Sequence, residues 1–98
     1  MRTTDHPGAH ELISTWQSLG LKRMVVSPGS RSAPLVLAGD ALGLEITVAL
    51  DERSAAHIAL GMALQSGLPA CAITTSGTAA LNHGSAMAEA FYMGVPLI

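Results

Sequence analysis

Apolar and polar positions along the chain form short blocks that predict helices and strands in alternation. Apolar residues at three- and four-residue spacing between residues 9 and 19 predict a helix that ends at Gly20. Apolar runs over residues 24–26, 45–50 and 70–75 predict strands, each followed by a turn-rich segment and a helical pattern. Short connections between such units favour parallel pairing with right-handed crossovers. The sequence therefore predicts an α/β fold of three layers, a parallel sheet flanked by helices.

The helical patterns carry further expectations about packing. The pattern over residues 54–65 has apolar side chains nearly all round, which predicts a helix that is covered on most sides. Gly61 in its middle costs about 1 kcal/mol relative to alanine, which favours close approach by another element. Residues 76–92 predict one continuous helix, and residues 94–98 begin a fourth strand. Because such a strand would leave an apolar edge, we expect residues 1–98 to be the N-terminal part of a longer, incomplete domain.

The composition fits a small α/β domain and argues against several classes of protein. Of the 98 residues, 49% are hydrophobic and 12% are charged, so a core can form. A net charge of −2 and 3% aromatic residues argue against nucleic-acid binding. No run of about 18 apolar residues and no apolar signal region is present, so we expect no membrane association and a cytoplasmic location. Cys71 is the only cysteine, and no Cys/His spacing predicts a metal site.

Three charged residues in a row, Asp51, Glu52 and Arg53, stand between the second predicted strand and the longest predicted helix. Ligands of parallel α/β folds bind at the carboxyl ends of strands, which makes Glu52 a candidate catalytic residue. Asp51 is better placed as the N-cap of the helix, and the helix dipole favours acidic residues in a first turn in any case. From the pattern alone, a structural and a catalytic role for Glu52 both stay open.

The segment over residues 27–34 places a glycine, hydroxyl groups and Arg31 between the first strand and the next helix. Ser30 or Ser32 could cap that helix, and Pro34 suits its first turn. Unpaired backbone N–H groups, the helix dipole and a guanidinium group favour a carboxylate or phosphate, so the loop is a candidate anion site. The alternative is an ordinary loop with a surface arginine, because the sequence here has neither a GxGxxG pattern nor a Walker lysine.

Three ordered motifs of the chain resemble one known family. They are Ser27-Pro28-Gly29-Ser30-Arg31-Ser32, the run from Ala49 through Asp51-Glu52-Arg53 to Ala63, and Thr74-Thr75-Ser76-Gly77-Thr78-Ala79. Together they are similar to the N-terminal pyrimidine-binding domain of thiamine-diphosphate enzymes, from about residue 9 to the end of the sequence. The acid followed by a helix of small residues is shared with the wider family, whereas Pro-Gly-Ser-Arg-Ser is similar to the carboligases of menaquinone biosynthesis. The resemblance implies a parallel α/β cofactor-binding domain that is truncated in its fourth strand.

For Glu52 the resemblance implies a role that is both catalytic and cofactor-binding. In the family this glutamate hydrogen-bonds a ring nitrogen of the aminopyrimidine, which promotes removal of a proton from the thiazolium carbon. The carbanion chemistry belongs to the cofactor, while the protein positions the cofactor and tunes its electronics. We therefore expect Glu52→Gln to leave the fold intact and to abolish most of the turnover of a complete enzyme.

The resemblance also implies roles for the loops that follow the first and third strands. Ser30 and Arg31 would bind a carboxylate of the substrate, in agreement with the anion site that the loop itself suggests. Thr75, Ser76 and Gly77 would approach the cofactor ring. The implied reaction decarboxylates 2-oxoglutarate and adds the succinyl semialdehyde unit to isochorismate.

Other parts of the family pattern have no counterpart in the sequence. In the family a Gly-Asp-Gly motif followed by an asparagine holds Mg²⁺ and the diphosphate, and we expect that half-site to lie outside these residues. We also expect a homodimer or homotetramer of the full-length protein, no activity of this piece alone, and structural roles for Asp51, Arg53 and His57. Two alternatives remain. One is another thiamine-diphosphate enzyme, such as a 2-oxo acid decarboxylase or acetolactate synthase, and the other is a non-catalytic α/β module that dimerises through its alanine-rich helices.

Overall fold

Strands and helices alternate along the chain in the computed structural model, which describes residues 7–29, 32–75 and 77–98. The strands are β1 (Arg23–Val26), β2 (Glu45–Val48) and β3 (Ala70–Ile73). The helices are α1 (Pro7–Ser18), α2 (Ala33–Ala41), α3 (Glu52–Ser66), α4 (Gly77–Ala80) and α5 (Gly84–Met93), with a 3₁₀ turn at Leu81–His83. Among the described residues, no helix has the length and apolar character needed to cross a membrane.

The three strands form one parallel sheet in the order β2-β1-β3. β1 is central, with Met24 beside Ile46 of β2 and Cys71 of β3. The predicted fourth strand is limited to one parallel bridge between Leu97 and Ala70, beyond β3. The predicted parallel α/β architecture is therefore confirmed.

Helices cover both faces of the sheet, which gives the three predicted layers. On one face, α1 and α2 pack against side chains of all three strands around a core of buried residues: Ile13, Leu21, Met24, Val26, Ala38, Leu44, Cys71 and Ile73. On the other face, α3 lies against β1 and β3 through Val25, Ala55, Ala59, Ala63 and Ala70. The small alanine side chains let α3 approach the sheet closely, because they need little room between the two layers.

The predicted strands extend too far at their carboxyl ends. β2 and β3 stop at Val48 and Ile73, two residues earlier than predicted. Both pair with β1, which itself ends at Val26, so the ladder ends on both sides at the same level. Residues 49–50 and 74–75 therefore lie in the connections at the edge of the sheet.

Two expectations about α3 are wrong. The helix buries only the face that carries its alanines and Leu60, whereas Ile58 and Leu64 are exposed. A Cβ atom added to Gly61 would meet nothing within 4 Å, so no element approaches this glycine closely. Apolar residues on every side of α3 therefore do not mean that other elements cover every side of it.

The predicted helix over residues 76–92 is also wrong as one continuous element, because the 3₁₀ turn interrupts it between α4 and α5. Asn82 and Gly84 are weak helix formers at this point of the chain. After the break, Ala86 and Ala90 of α5 pack against α3. The helix that follows the 3₁₀ turn, α5, is therefore packed against α3.

Candidate functional site

The carboxyl ends of the three strands bring those candidate residues that the structure describes to one edge of the sheet. The backbone N–H of Ser27, just after β1, donates to the carbonyl of Ile73 at the end of β3 (2.9 Å). The N–H of Ala49, just after β2, donates to the carbonyl of Val26 at the end of β1 (3.0 Å). The connections that follow the strands are therefore neighbours, although they are far apart in sequence.

The loop after β1 touches the turn after β3. A Cβ atom at Gly29 would lie 1.6 Å from Cγ2 and 2.7 Å from Cβ of Thr75, so only glycine fits here. The Ser32 hydroxyl donates to the carbonyl of Gly29 (2.9 Å), which ties the loop to the start of α2. Ser32 stands at the predicted N-cap position of α2, but its side chain makes no capping hydrogen bond to the helix. The alternative cap, Ser30, lies outside the described residues.

Glu52 is the first residue of α3 and follows the carboxyl end of β2. Asp51 is the N-cap, as predicted: its Oδ2 atom accepts from the N–H (2.9 Å) and from the hydroxyl (2.8 Å) of Ser54. These two hydrogen bonds, with the charge of Arg53, hold the pKa of Asp51 below its ordinary value. Glu52 is half-buried, and no hydrogen bond or ion pair to another described residue occupies its carboxylate. The start of α3 therefore fixes the backbone position of Glu52 directly after the connection from β2.

Two buried hydroxyl groups at this edge were missed by the sequence analysis. Ser27 follows β1, Thr74 follows β3, and neither side-chain oxygen has a hydrogen-bond partner among the residues that the structure describes. The signal that could have found them is a hydroxyl residue directly after a buried parallel strand.

An apolar cavity of about 330 Å³ lies between the loop after β1, helix α2 and the end of β2. Its walls are formed by Val26, Pro28, Gly29, Ser32, Ala33, Val36, Leu37 and Val48. A second cavity of about 260 Å³ lies beyond β3 and includes Thr74 and His83 in its walls. The Nε2 atom of His83 is buried and has no partner among the described residues. The first cavity is therefore lined by the sequence neighbours of the predicted anion-binding residues Ser30 and Arg31. The second cavity lies beside β3.

The other predicted site residues are placed only in part. Thr75 is half-buried in contact with the loop after β1, and Gly77 is the first residue of α4. Ser30, Arg31 and Ser76 lie outside the described residues, so their predicted roles stay predictions.

His57 has a structural contact, since its Nε2 atom lies 3.0 Å from the Ser85 hydroxyl and links α3 to α5. Within the described part of the chain, no group of three or more His, Cys, Asp or Glu side chains is arranged to hold a metal ion.

The edge of the sheet fits a nitrogen heterocycle such as an aminopyrimidine. A ring of that kind presents hydrogen-bond donors and acceptors in one plane. The connections after the strands carry a carboxylate at Glu52 and buried hydroxyl groups at Ser27 and Thr74, and these two hydroxyl oxygens have no partner among the described residues. The absence of a Cβ at Gly29 lets the connection after β1 contact the turn after β3 at Thr75.

Comparison with known proteins identifies relatives over nearly the whole chain. The family described as thiamine pyrophosphate enzyme, N-terminal TPP binding domain, matches residues 6–98. The chain is 45% identical over 96 residues to the "2-succinyl-5-enolpyruvyl-6-hydroxy-3-cyclohexene-1-carboxylate synthase" of Porphyromonas gingivalis, which covers 97% of the chain and 17% of that protein. It is 50% identical over 101 residues to the protein of the same name from Desulfotalea psychrophila, covering 100% of the chain and 18% of the relative. The chain therefore spans about a sixth of the length of these curated relatives.

Proposed function

Because this chain belongs to the thiamine pyrophosphate enzyme family, as an N-terminal TPP binding domain, we propose that it is part of a carboligase of menaquinone biosynthesis. The complete enzyme decarboxylates 2-oxoglutarate and adds the succinyl semialdehyde unit to isochorismate. Names of the relatives support this choice within the family. The observation that carries the proposal is the convergence of the three family motifs at one edge of the sheet, where Gly29 contacts Thr75 and Glu52 begins α3.

Glu52 is the catalytic residue of the proposed site. Its carboxyl group shares a proton with a ring nitrogen of the aminopyrimidine and so fixes the protonation state of the ring. When bound, thiamine diphosphate would supply a nucleophilic carbon for the reaction. The N-cap at Asp51 fixes the first turn of α3, to which Glu52 belongs.

The remaining roles follow the connections on either side of Glu52. Ser30 and Arg31 bind a substrate carboxylate, and the apolar cavity beside their loop receives the carbon skeleton. Thr75, Ser76 and Gly77 approach the cofactor ring from the turn after β3. Mg²⁺ and the diphosphate are held elsewhere in the full-length protein, which acts as a homodimer or homotetramer in the cytoplasm.

The test is an assay of the complete reading frame with thiamine diphosphate, Mg²⁺, 2-oxoglutarate and isochorismate. We expect release of carbon dioxide that depends on both substrates and falls by about 10²–10⁴-fold in Glu52→Gln. Glu45→Gln is the matched control, because Glu45 lies at the opposite end of β2 and forms a long ion pair (3.6 Å) with Arg23. Turnover of a different 2-oxo acid without isochorismate would instead assign the chain to another thiamine-diphosphate enzyme. Full turnover in Glu52→Gln would remove this residue from the reaction.

A further inference from the structure

The cavity of about 260 Å³ beside β3 runs across the outer edge of the sheet, on the side away from β1. Trp16 and Leu35 line it on the face that α1 and α2 cover. Ala80 and His83 line it on the other face, in α4 and in the 3₁₀ turn that contacts α3. Because its walls come from both faces, the cavity lies where a further strand would run.

The walls of this cavity are mainly apolar but include two buried polar atoms. They are the hydroxyl oxygen of Thr74 and Nε2 of His83, and neither has a hydrogen-bond partner among the described residues. Most buried polar side-chain atoms in folded proteins are hydrogen-bonded, because burial removes the water that would otherwise satisfy them. A segment that fits the cavity therefore has an apolar group for the side of Trp16 and a polar group for the side of His83.

The backbone at this edge indicates that the fitting segment is a parallel strand. The N–H of Ile98 donates to the carbonyl of Ala70 (2.9 Å), and the N–H of Ala72 donates to the carbonyl of Ile98 (2.9 Å). These are the regular bonds of a parallel ladder, in which every second residue of a strand faces the same neighbour. Ile73 accordingly faces β1, where it accepts from Ser27. The next groups in the outer row are the Ala72 carbonyl and the Thr74 N–H.

We propose that the three residues after Ile98 in the full-length protein continue this strand along β3 and fill the cavity. The described chain spans about a sixth of the length of its curated relatives, so the remainder of the same protein is the source of the segment. In this register, the second residue after Ile98 donates to the Ala72 carbonyl and accepts from the Thr74 N–H. The inference requires only membership of the family, and it does not depend on the proposed reaction.

The register also assigns the side chains of the segment. Leu97 lies beside Ala70 and packs on the α3 side, so Ile98 and the second residue after it point toward α1 and α2. That second residue is apolar and fills the space beside Trp16. The third residue points to the α3 side, directly beside Thr74, where cross-strand polar pairs stabilise a sheet. It carries a hydroxyl or amide group that supplies a partner for Thr74, with His83 in the same cavity.

The first test measures amide hydrogen exchange in the complete protein, resolved to single residues. The N–H of Thr74 should exchange as slowly as that of Ala72, its neighbour in the outer row, because both donate to the same added strand. Exchange of the Thr74 amide at the rate of an unfolded chain would overturn the inference. Protection that appears only when thiamine diphosphate is added would show that a ligand covers the edge, and protection only at concentrations where subunits associate would assign it to a second chain.

The second test is a double-mutant cycle in the melting temperature of the complete protein. Thr74→Val alone, or alanine alone at the third residue after Ile98, should lower the melting temperature, because each leaves a buried polar partner unpaired. The double variant should recover part of that loss. Thr47→Val is the matched control, since Thr47 lies in β2 at the opposite edge and should show no coupling. Additive effects of the two substitutions, or a charged residue or proline at the second position after Ile98, would refute the proposed register.

Discussion

The contact between Gly29 and Thr75 predicts that Gly29→Ala destabilises the protein by steric overlap. The added Cβ would lie 1.6 Å from Cγ2 of Thr75, and rotation of that side chain could relieve this overlap. The Cβ of Thr75, at 2.7 Å, moves only with its backbone. An ordinary carbon contact begins at about 3.5 Å, so the loop or the turn has to shift by nearly 1 Å. Such overpacking typically costs about 1–3 kcal/mol, and we expect the free energy of unfolding to fall by that amount.

The assay is urea unfolding of purified variants followed by circular dichroism. Gly61→Ala is the matched control, because its Cβ would meet nothing within 4 Å and the helix should gain about 1 kcal/mol. Adding Thr75→Gly to Gly29→Ala removes the overlapping atoms and should restore part of the loss, which a double-mutant cycle measures as coupling. If Gly29→Ala were as stable as the parent protein, or if the cycle showed no coupling, the contact between the two connections would be refuted.

Three further predictions concern the core, the cap of α3 and the buried thiol. Leu21→Ala should lower the free energy of unfolding by about 2–5 kcal/mol in urea titrations, because Leu21 is fully buried. Leu19→Ala, at a side chain that is 71% exposed, should change it by less than about 0.5 kcal/mol. The pKa of Asp51 is lowered from 3.8, so its cap should be intact above that pH and lost as the pH falls below it; an acid titration by circular dichroism should show this loss in the parent protein and not in Asp51→Asn. Burial raises the pKa of Cys71 to about 12, so the native protein should not react with Ellman's reagent at pH 8, and rapid reaction under those conditions would contradict its burial.

The sequence was most informative about features that depend on local chemistry. The N-cap at Asp51 follows from a short acidic side chain ahead of a helical pattern, and Gly20, with φ of 111°, follows from the need for a left-handed residue after α1. The parallel sheet follows from the alternation of apolar runs and helical patterns. Each of these signals lies within a few residues of the structure that it determines.

Features that depend on distant parts of the chain could not be read in the same way. No local pattern shows that Gly29 contacts Thr75, because 45 residues separate the two in sequence and only the strand order brings them together. The lengths of β2 and β3 are set by where β1 ends. Likewise, the exposed side of α3 cannot be predicted from its composition, since alanine is compatible with both faces of a helix.

The surroundings of Glu52 explain how this chain can fix the position of the proposed site without supplying all of its chemistry. Leu50 is 82% exposed and Val48 is 63% exposed, and both belong to the segment that leads to Glu52. Covering such apolar side chains is favourable by about 25 cal/mol per Å² of buried area. A carboxylate also binds a ring nitrogen more strongly where water is excluded, because the local dielectric is lower. We therefore expect the rest of the full-length protein to cover this edge, so that the same contact both buries Leu50 and Val48 and excludes water from the carboxylate that we propose to be catalytic.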